Sequence, residues 1–332
     1  MIRKHFRNFC KVIDKRGGPN FFWSIDNSLE FISKLHNVEA KSIATFDFST
    51  LYTNLPQDKI FNDLSKLIIK MFNNSGRNYI AVSLSRNIAF WTKHPNYGNG
   101  YKTFTLDSLL EAIKFNLFNT YVCFDNQVFL QSIGIPMGSS CSPLLADLYL
   151  SWLEYTYLYD LYKTDPFGVR QFSLVSRYID DIAAPNVKDF LKIAKDIYPP
   201  ELPLTEGDLN PLNDNYLDLN VNIQSKKFIF KIYHKVDDFN FKVVSYPFPK
   251  SNVHSQVGYN TFLSQLIRFG RVCSLKDDFV LRARFVYNKL VNRGYIKDKL
   301  SKTFIKFCAK YPEIPQKFGV VSFRKFNDDI IV

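Results

Sequence analysis

Tyr178-Ile179-Asp180-Asp181 is the stretch on which the reading of this chain turns. It lies inside an apolar segment, 174–182, that reads as a hairpin with the aspartate pair at its tip. Successive side chains of a strand point to opposite faces, so adjacent aspartates serve one site only where the strand turns. A carboxylate set among apolar residues without a partner is costly or takes up a proton, and such positions hold a cation or do chemistry. Asp-Asp recurs at Asp237-Asp238, Asp277-Asp278 and Asp328-Asp329, but there the surroundings are polar or turn-like and suit solvated loops and helix starts.

A further aspartate, Asp47, stands in Phe46-Asp47-Phe48-Ser49-Thr50-Leu51-Tyr52. Residues 42–48 alternate as a strand, with Ala44, Phe46 and Phe48 on one face and Ile43, Thr45 and Asp47 on the other. Between the two aspartate stretches runs Gly134-Ile135-Pro136-Met137-Gly138-Ser139-Ser140-Cys141-Ser142-Pro143. Ser142 and Pro143 suit the cap and first position of a helix, which Leu145, Leu148 and Trp152 give an apolar stripe. If Asp180 faces Asp47 across neighbouring strands, their carboxylates can bridge two Mg²⁺ ions about 3.5 to 4 Å apart, with Asp181 more peripheral. Hard divalent cations prefer such oxygen donors, and Mn²⁺ is an alternative to Mg²⁺. Tyr52, just past the strand, suits packing under the sugar of a nucleotide, where it would clash with a 2′-hydroxyl; alternatively it is an ordinary core tyrosine. Main-chain N–H groups of Phe48 to Leu51 are candidates for a triphosphate. Gly134 and Gly138 let a base pair come close to the backbone, with Met137 against it, or else form a plain turn into a helix.

Elsewhere, Pro56 opens a helical stretch carrying Ile60, Leu64, Leu67 and Met71, and 106–118 predicts a second helix. Tyr121–Phe124 and Gln127–Leu130 flank Asp125-Asn126 as a tight hairpin. A second hairpin runs through Leu217, Leu219, Val221 and Ile223, then Phe228, Phe230 and Ile232. The pattern turns helical from Gln265.

The formal charge of +12 is uneven, because 231–326 holds 19 Lys or Arg against 6 acids while the rest holds 24 against 25. Lys299, Lys302, Lys306 and Lys310 recur at helical spacing opposite Leu300, Phe304, Phe307 and Tyr311, and Arg268, Arg271, Arg282, Arg284 and Arg293 add to them. A nucleic-acid backbone is the expected partner of such a face. Residues 1–40 begin basic, with Arg3, Lys4, Arg7, Lys11, Lys15 and Arg16, and continue through the turn-forming Gly17-Gly18-Pro19-Asn20. The five cysteines show no metal-ligand spacing and read as reduced thiols. No apolar run approaches a membrane span and no signal segment opens the chain, so an intracellular place, nuclear or cytoplasmic, is expected.

These motifs resemble reverse transcriptases, and more closely the Penelope-like retroelement group related to telomerase. Phe46 to Pro56 looks like that group's first palm motif, Ile135-Pro136-Met137-Gly138 its second and Tyr178-Ile179-Asp180-Asp181 its third. Tyr216-Leu217-Asp218-Leu219, Asp237 to Phe241 and Tyr246-Pro247-Phe248 resemble the later palm and primer grip, and Ser264-Gln265-Leu266-Ile267-Arg268 the start of the thumb. The match runs in unbroken order from about 20 to 318. It implies an α+β fold, a right-hand polymerase palm of antiparallel sheet packed on helices, with partial fingers (1–40), a palm (41–250) bearing a fingers-side insertion near 57–130, and a helical basic thumb (251–332).

By the same resemblance Asp47, Asp180 and Asp181 ligate metal with the carbonyl of Phe48, and Tyr52 gates the sugar toward dNTPs. Ser49, Thr50, Leu51, Pro136, Met137 and Gly138 then line the nucleotide. Tyr246, Phe248, Arg268, Arg271 and the four lysines contact an RNA template and DNA primer. Met137 stands where other reverse transcriptases often have glutamine. The upstream fingers clamp and a GIY-YIG endonuclease are expected to be missing. The implied activity is RNA-directed DNA polymerisation, the alternative a decayed or domesticated element product that binds nucleic acid without synthesis.

Overall fold

The computed structural model describes residues 1–15, 19–207, 210–241 and 243–331. Arg16, Gly17 and Gly18 of the expected turn, and Lys242 beside the expected primer grip, lie outside them. In chain order the elements are α1 (Ile2–Lys15), α2 (Ser28–Leu35), β1 (Thr45–Phe48), α3 (Leu51–Asn54), α4 (Gln57–Ser75), β2 (Tyr79–Ser83), β3 (Ala89–Thr92) and β4 (Tyr101–Phe104). Next come α5 (Leu106–Phe118), β5 (Tyr121–Phe124), β6 (Gln127–Leu130), α6 (Ser142–Thr164), β7 (Ser176–Tyr178), β8 (Asp181–Ala183), α7 (Phe190–Ile197) and β9 (Leu204–Glu206). The chain ends with β10 (Asn213–Tyr216), β11 (Leu219–Gln224), β12 (Lys227–Ile232), α8 (Gln256–Val272), α9 (Lys276–Asn292), α10 (Lys297–Lys310), α11 (Glu313–Lys317) and α12 (Phe323–Ile331).

Two compact units emerge, Met1–Ile25 with Phe46–Glu206, and Asp26–Thr45 with Gly207–Val332. This cut differs from the expected three-part division. The chain 26–45 belongs with the second unit, where Phe31 of α2 packs 4.8 Å from the ring of Tyr216. The hairpin 219–232 belongs there too, because Phe230 and Ser274 exchange main-chain and hydroxyl hydrogen bonds.

The first unit is built on a sheet of order β7-β8-β1-β9. From Phe46 to Phe48 the alternation is as expected, Phe46 and Phe48 buried and Asp47 exposed, while Thr45, expected on the Asp47 face, is buried against Asp214. The buried rings stack on the α7 region, Phe46 5.0 Å from Phe190 and Phe48 4.9 Å from Tyr198. That edge-to-face and tilted packing fixes which way Asp47 points. Helix α4 buries Ile60, Leu64, Leu67 and Met71 and ends at Gly76, whose φ of 61° only glycine adopts freely. It packs on α6. The three-stranded sheet β3-β2-β4 was not expected, since its short half-exposed strands give no clean alternation. Helix α1 folds the basic N-terminus into the unit through Phe6, which meets Phe22, Trp152 and Tyr155.

In the second unit β10-β11-β12 form a sheet against which α8 and α9 pack. Asp214 of the polar strand β10 is buried and accepts hydrogen bonds from the N–H and hydroxyl of Thr45, at 2.9 and 2.8 Å. Helix α8 begins at Gln256, earlier than predicted, and Gly258 in its first turn lets Tyr295 pack where a side chain would clash. Among the described residues no helix is long and apolar enough to cross a membrane.

Candidate active site

Tyr178 pairs with Asp181 across the β7–β8 hairpin, which leaves Ile179 and Asp180 as its two-residue turn. Strand β8 neighbours β1 in the sheet. The Phe48 N–H donates to the Asp180 carbonyl at 3.3 Å, so the turn stands against the strand that carries Asp47. Asp47 is exposed, and Asp180 and Asp181 are half-buried. The cost of burying a charge therefore does not explain these carboxylates, because strand alternation and a hairpin tip deliver them to solvent. Phe48's N–H is already engaged, which removes it from the set expected to meet a triphosphate; Ser49 and Thr50 are exposed and Leu51 is buried.

Among the described residues no three His, Cys, Asp or Glu side chains are grouped closely enough to hold a metal ion. The expectation of three carboxylates meeting at one point is thus narrowed. Any one ion would take fewer than three acidic side chains here, and main-chain carbonyl, water and substrate oxygens would complete its shell. That is the habit of Mg²⁺, and carboxylate with carbonyl donors suits it or Mn²⁺.

Tyr52 sits in the single turn of α3 and is half-buried. Burial, then the charges of Asp180 and Asp147, push its hydroxyl pKa up, so it stays protonated within the field of the aspartate turn. The glycine loop is stitched to the same turn of helix, since Ile135 donates to the Tyr52 carbonyl at 2.8 Å and Gly134 to that of Leu55 at 3.0 Å. Gly134 has φ 78°, and a Cβ there would overlap the carbonyls of Tyr52 and Thr53. Its absent side chain makes room for the chain's own backbone, which corrects the expectation that it admits a base pair. Gly138 faces open space and Met137 is 71% exposed, while Pro136 is half-buried. Cys141, rather than Ser142, occupies the N-cap position of α6, without a side-chain capping bond.

The residues that sequence reasoning missed lie beneath the turn. Arg177 is fully buried, and its Nε donates to Glu154, its Nη1 to Asp147 (3.0 Å) and to the carbonyl of Ile179 (3.0 Å). Its Nη2 donates to Ser151 (2.9 Å), to the Asp147 carbonyl (3.1 Å) and to Glu154 (3.3 Å). Tyr198 adds a bond to Glu154 (2.9 Å), and Arg3 holds Asp147 at 2.6 Å. Burial opposes ionisation of Asp147, but Arg177 and Arg3 overcome it and hold its carboxyl below the usual range. For Glu154, with no exposure at all, burial prevails and its pKa is raised. Asp147, Ser151 and Glu154 occur at i, i+4 and i+7 in the part of α6, 143–155, whose other residues are all apolar or aromatic. A polar stripe of that kind, with one basic residue beside the aspartate pair, was the available signal.

In the second unit, Lys299, Lys302, Lys306 and Lys310 of α10 are all exposed and Arg271 is exposed on α8. Arg268 instead pairs with Asp218 at 2.7 Å. Arg282 is bound to Asp237 and the Ile232 carbonyl, and Arg284 to the Asp329 carbonyl. Part of the expected cationic surface is therefore spent on internal bonds. Phe248 is exposed under Arg293, 4.5 Å from its ring, and Tyr246 is half-buried.

No family model matches the chain, and no curated protein does. Solved structures do match. Telomerase from Candida albicans, in complex with a TWJ fragment of telomeric RNA, gives a TM-score of 0.66 at 12% identity over 99% of this chain and 54% of that one. Apo telomerase from Candida tropicalis gives 0.47 at 15% identity over 99% and 53%. The chain spans about half the length of these neighbours. The first likeness shows a fold, the α+β palm-and-thumb polymerase fold that the motif order implied.

Proposed function

We propose that this chain is the core of an RNA-directed DNA polymerase from a retroelement of the Penelope-like kind, extending a primer 3′-hydroxyl with dNTPs. The observation that carries the reading is the Phe48–Asp180 main-chain bond, which sets the aspartate turn against the Asp47 strand. The polymerase fold and the telomeric RNA fragment bound by the telomerase neighbour support RNA as a partner.

In the reaction the primer 3′-oxygen bonds to the α-phosphorus as the bond to the departing pyrophosphate breaks, and the hydroxyl proton leaves to water. Asp47, Asp180 and Asp181, with the Phe48 carbonyl, are the donors from which Mg²⁺ would be held, no single ion taking all three carboxylates. When bound, Mg²⁺ supplies neutralisation of the charge that develops on the phosphoryl and leaving oxygens. Tyr52, anchored beside the glycine loop, excludes a 2′-hydroxyl and so favours dNTPs. The exposed lysine row of α10 holds a nucleic-acid backbone in the second unit.

Purified protein given poly(rA) primed with oligo(dT), dTTP and Mg²⁺ is expected to incorporate dTMP, and Asp180→Asn to lower the rate at least about 100-fold. Wild-type protein that binds the primed template but incorporates nothing would overturn the polymerase reading in favour of binding alone.

A further inference from the structure

We propose that Arg177 is the positioning residue of the aspartate turn: fixed on α6, its guanidinium holds the main chain at Ile179 and thereby sets the metal affinity of the site. The assignment of a metal rests on the polymerase reading above. The role of Arg177 rests on separate geometry.

Ile179 has φ 55°. A β-branched residue in the left-handed region is sterically disfavoured, and two-residue hairpin turns ordinarily place Gly, Asn or Asp there. Such a conformation persists only where surrounding structure over-determines it. The Ile179 carbonyl accepts from Arg177 Nη1 at 3.0 Å, and the next carbonyl, that of Asp180, accepts from Phe48 at 3.3 Å. The turn is thus held by two successive carbonyls, one tied to β1 and one to the buried arginine.

Arg177 itself has no freedom to follow the turn. Its N–H donates to Trp23 (3.0 Å) and its carbonyl accepts from Ile25 (2.9 Å), which locks its main chain. The remaining guanidinium N–H groups are shared among Asp147, Ser151 and Glu154 of one helix. A buried arginine facing two carboxylates could be satisfied by them alone; here one N–H is directed instead at the strained turn. The path from α6 to Asp180 is therefore Glu154 and Asp147, the guanidinium, the Ile179 carbonyl and one peptide unit.

The test measures Mn²⁺ binding to the full chain by electron paramagnetic resonance, without relying on turnover. Wild type is expected to bind, and Asp180→Asn to lose binding; absence of that pattern would sink the metal assignment and the polymerase reading with it. Given the pattern, Arg177→Lys, which keeps charge but not the fork, is expected to weaken binding about tenfold, as removing the support of a metal ligand does. In the Ile179→Gly background, where the left-handed turn carries no strain, the same change is expected to cost at most about twofold. Equal losses in both backgrounds, or none in either, would overturn the positioning role while leaving the metal site standing. Should Arg177→Lys not fold, Ile179→Gly alone decides the matter. With Arg177 in place its affinity is expected within about twofold of wild type, and a larger loss would mean that the isoleucine side chain, not the arginine, holds the turn.

Discussion

The first unit contains two short hairpins closed by two-residue turns, and they are made in opposite ways. In β5–β6 the turn residues Asp125 and Asn126 have φ 47° and 60°, the pairing and residue types of a type I′ turn. Every residue of both strands is exposed, and among the described residues no third strand joins them. In β7–β8 the turn carries Ile179, which no local preference would put there, while Ser176, Arg177, Ile182 and Ala183 are buried and β1 and β9 extend the sheet. The first hairpin is specified by its own turn. The second is imposed by what lies beneath it, and it is the one that bears the aspartates. Tertiary bonds can hold a turn more tightly than turn chemistry, which suits a place where a carboxylate must not wander.

The comparison breaks most visibly at Arg177. Arg177→Met would leave Glu154 without its cation and Asp147 with Arg3 alone, and removal of one partner of a buried ion pair costs about 3–5 kcal/mol. Urea denaturation is expected to show a loss of that size, and a change under about 1 kcal/mol would mean the network does not hold β7–β8.

Acid provides a smaller and reversible perturbation of the same clamp. The Asp147 carboxyl is depressed in the folded state, so the stability it contributes is complete above the unfolded aspartate value, about 3.9, and is lost as pH falls through its lowered folded value. Glu154 has the opposite sign, because its raised pKa means that protonation favours the folded form. Comparing wild type with Asp147→Asn reads chiefly the first, as Glu154 keeps its burial and its Arg177 partner in both. The stability gap is expected to be greatest near neutrality and to close below about pH 4. A gap constant with pH would show that Asp147 acts through shape rather than charge.

The sequence disclosed the hairpin specified locally in full, strands and turn alike, because Asp125-Asn126 between alternating segments is a short-range signal. It also placed Asp180 at a hairpin tip and Asp47 opposite two phenylalanines, both consequences of strand period. Helix α4 was legible through Ile60, Leu64, Leu67 and Met71 for the same reason. The clamp was much less legible, since Arg177 meets Asp147 and Glu154 across 30 and 23 residues and only the polar stripe of α6 hinted at a buried cation. Strand β10 escaped because one of its two buried residues is Asp214, a polar residue whose burial is supported by Thr45 far along the chain as well as by the Asn215 N–H. Strand β9, three residues long, is defined by its pairing of Thr205 with Asp47 and has no pattern of its own. Gly134 was noticed, but the backbone it accommodates, at Tyr52 and Thr53, lies some eighty residues upstream.

The mildest perturbation transfers the strain of one hairpin to the other. Asn126→Ile places at φ 60° the residue type that Ile179 represents at φ 55°, but with no buried arginine beneath it. An L-residue other than Gly, Asn or Asp in the left-handed region costs about 1–2 kcal/mol, and an isolated two-stranded hairpin is marginal to begin with. The hairpin is therefore expected to open locally, seen as faster proteolytic cleavage within 121–130, while the urea midpoint of the whole chain shifts by less than about 0.5 kcal/mol equivalent, since these exposed strands add little to the core. Cleavage at the wild-type rate would mean that β5–β6 is held by contacts beyond its turn. A large global loss would place the hairpin within the cooperative fold, and the contrast between a turn that holds itself and a turn that is held would disappear.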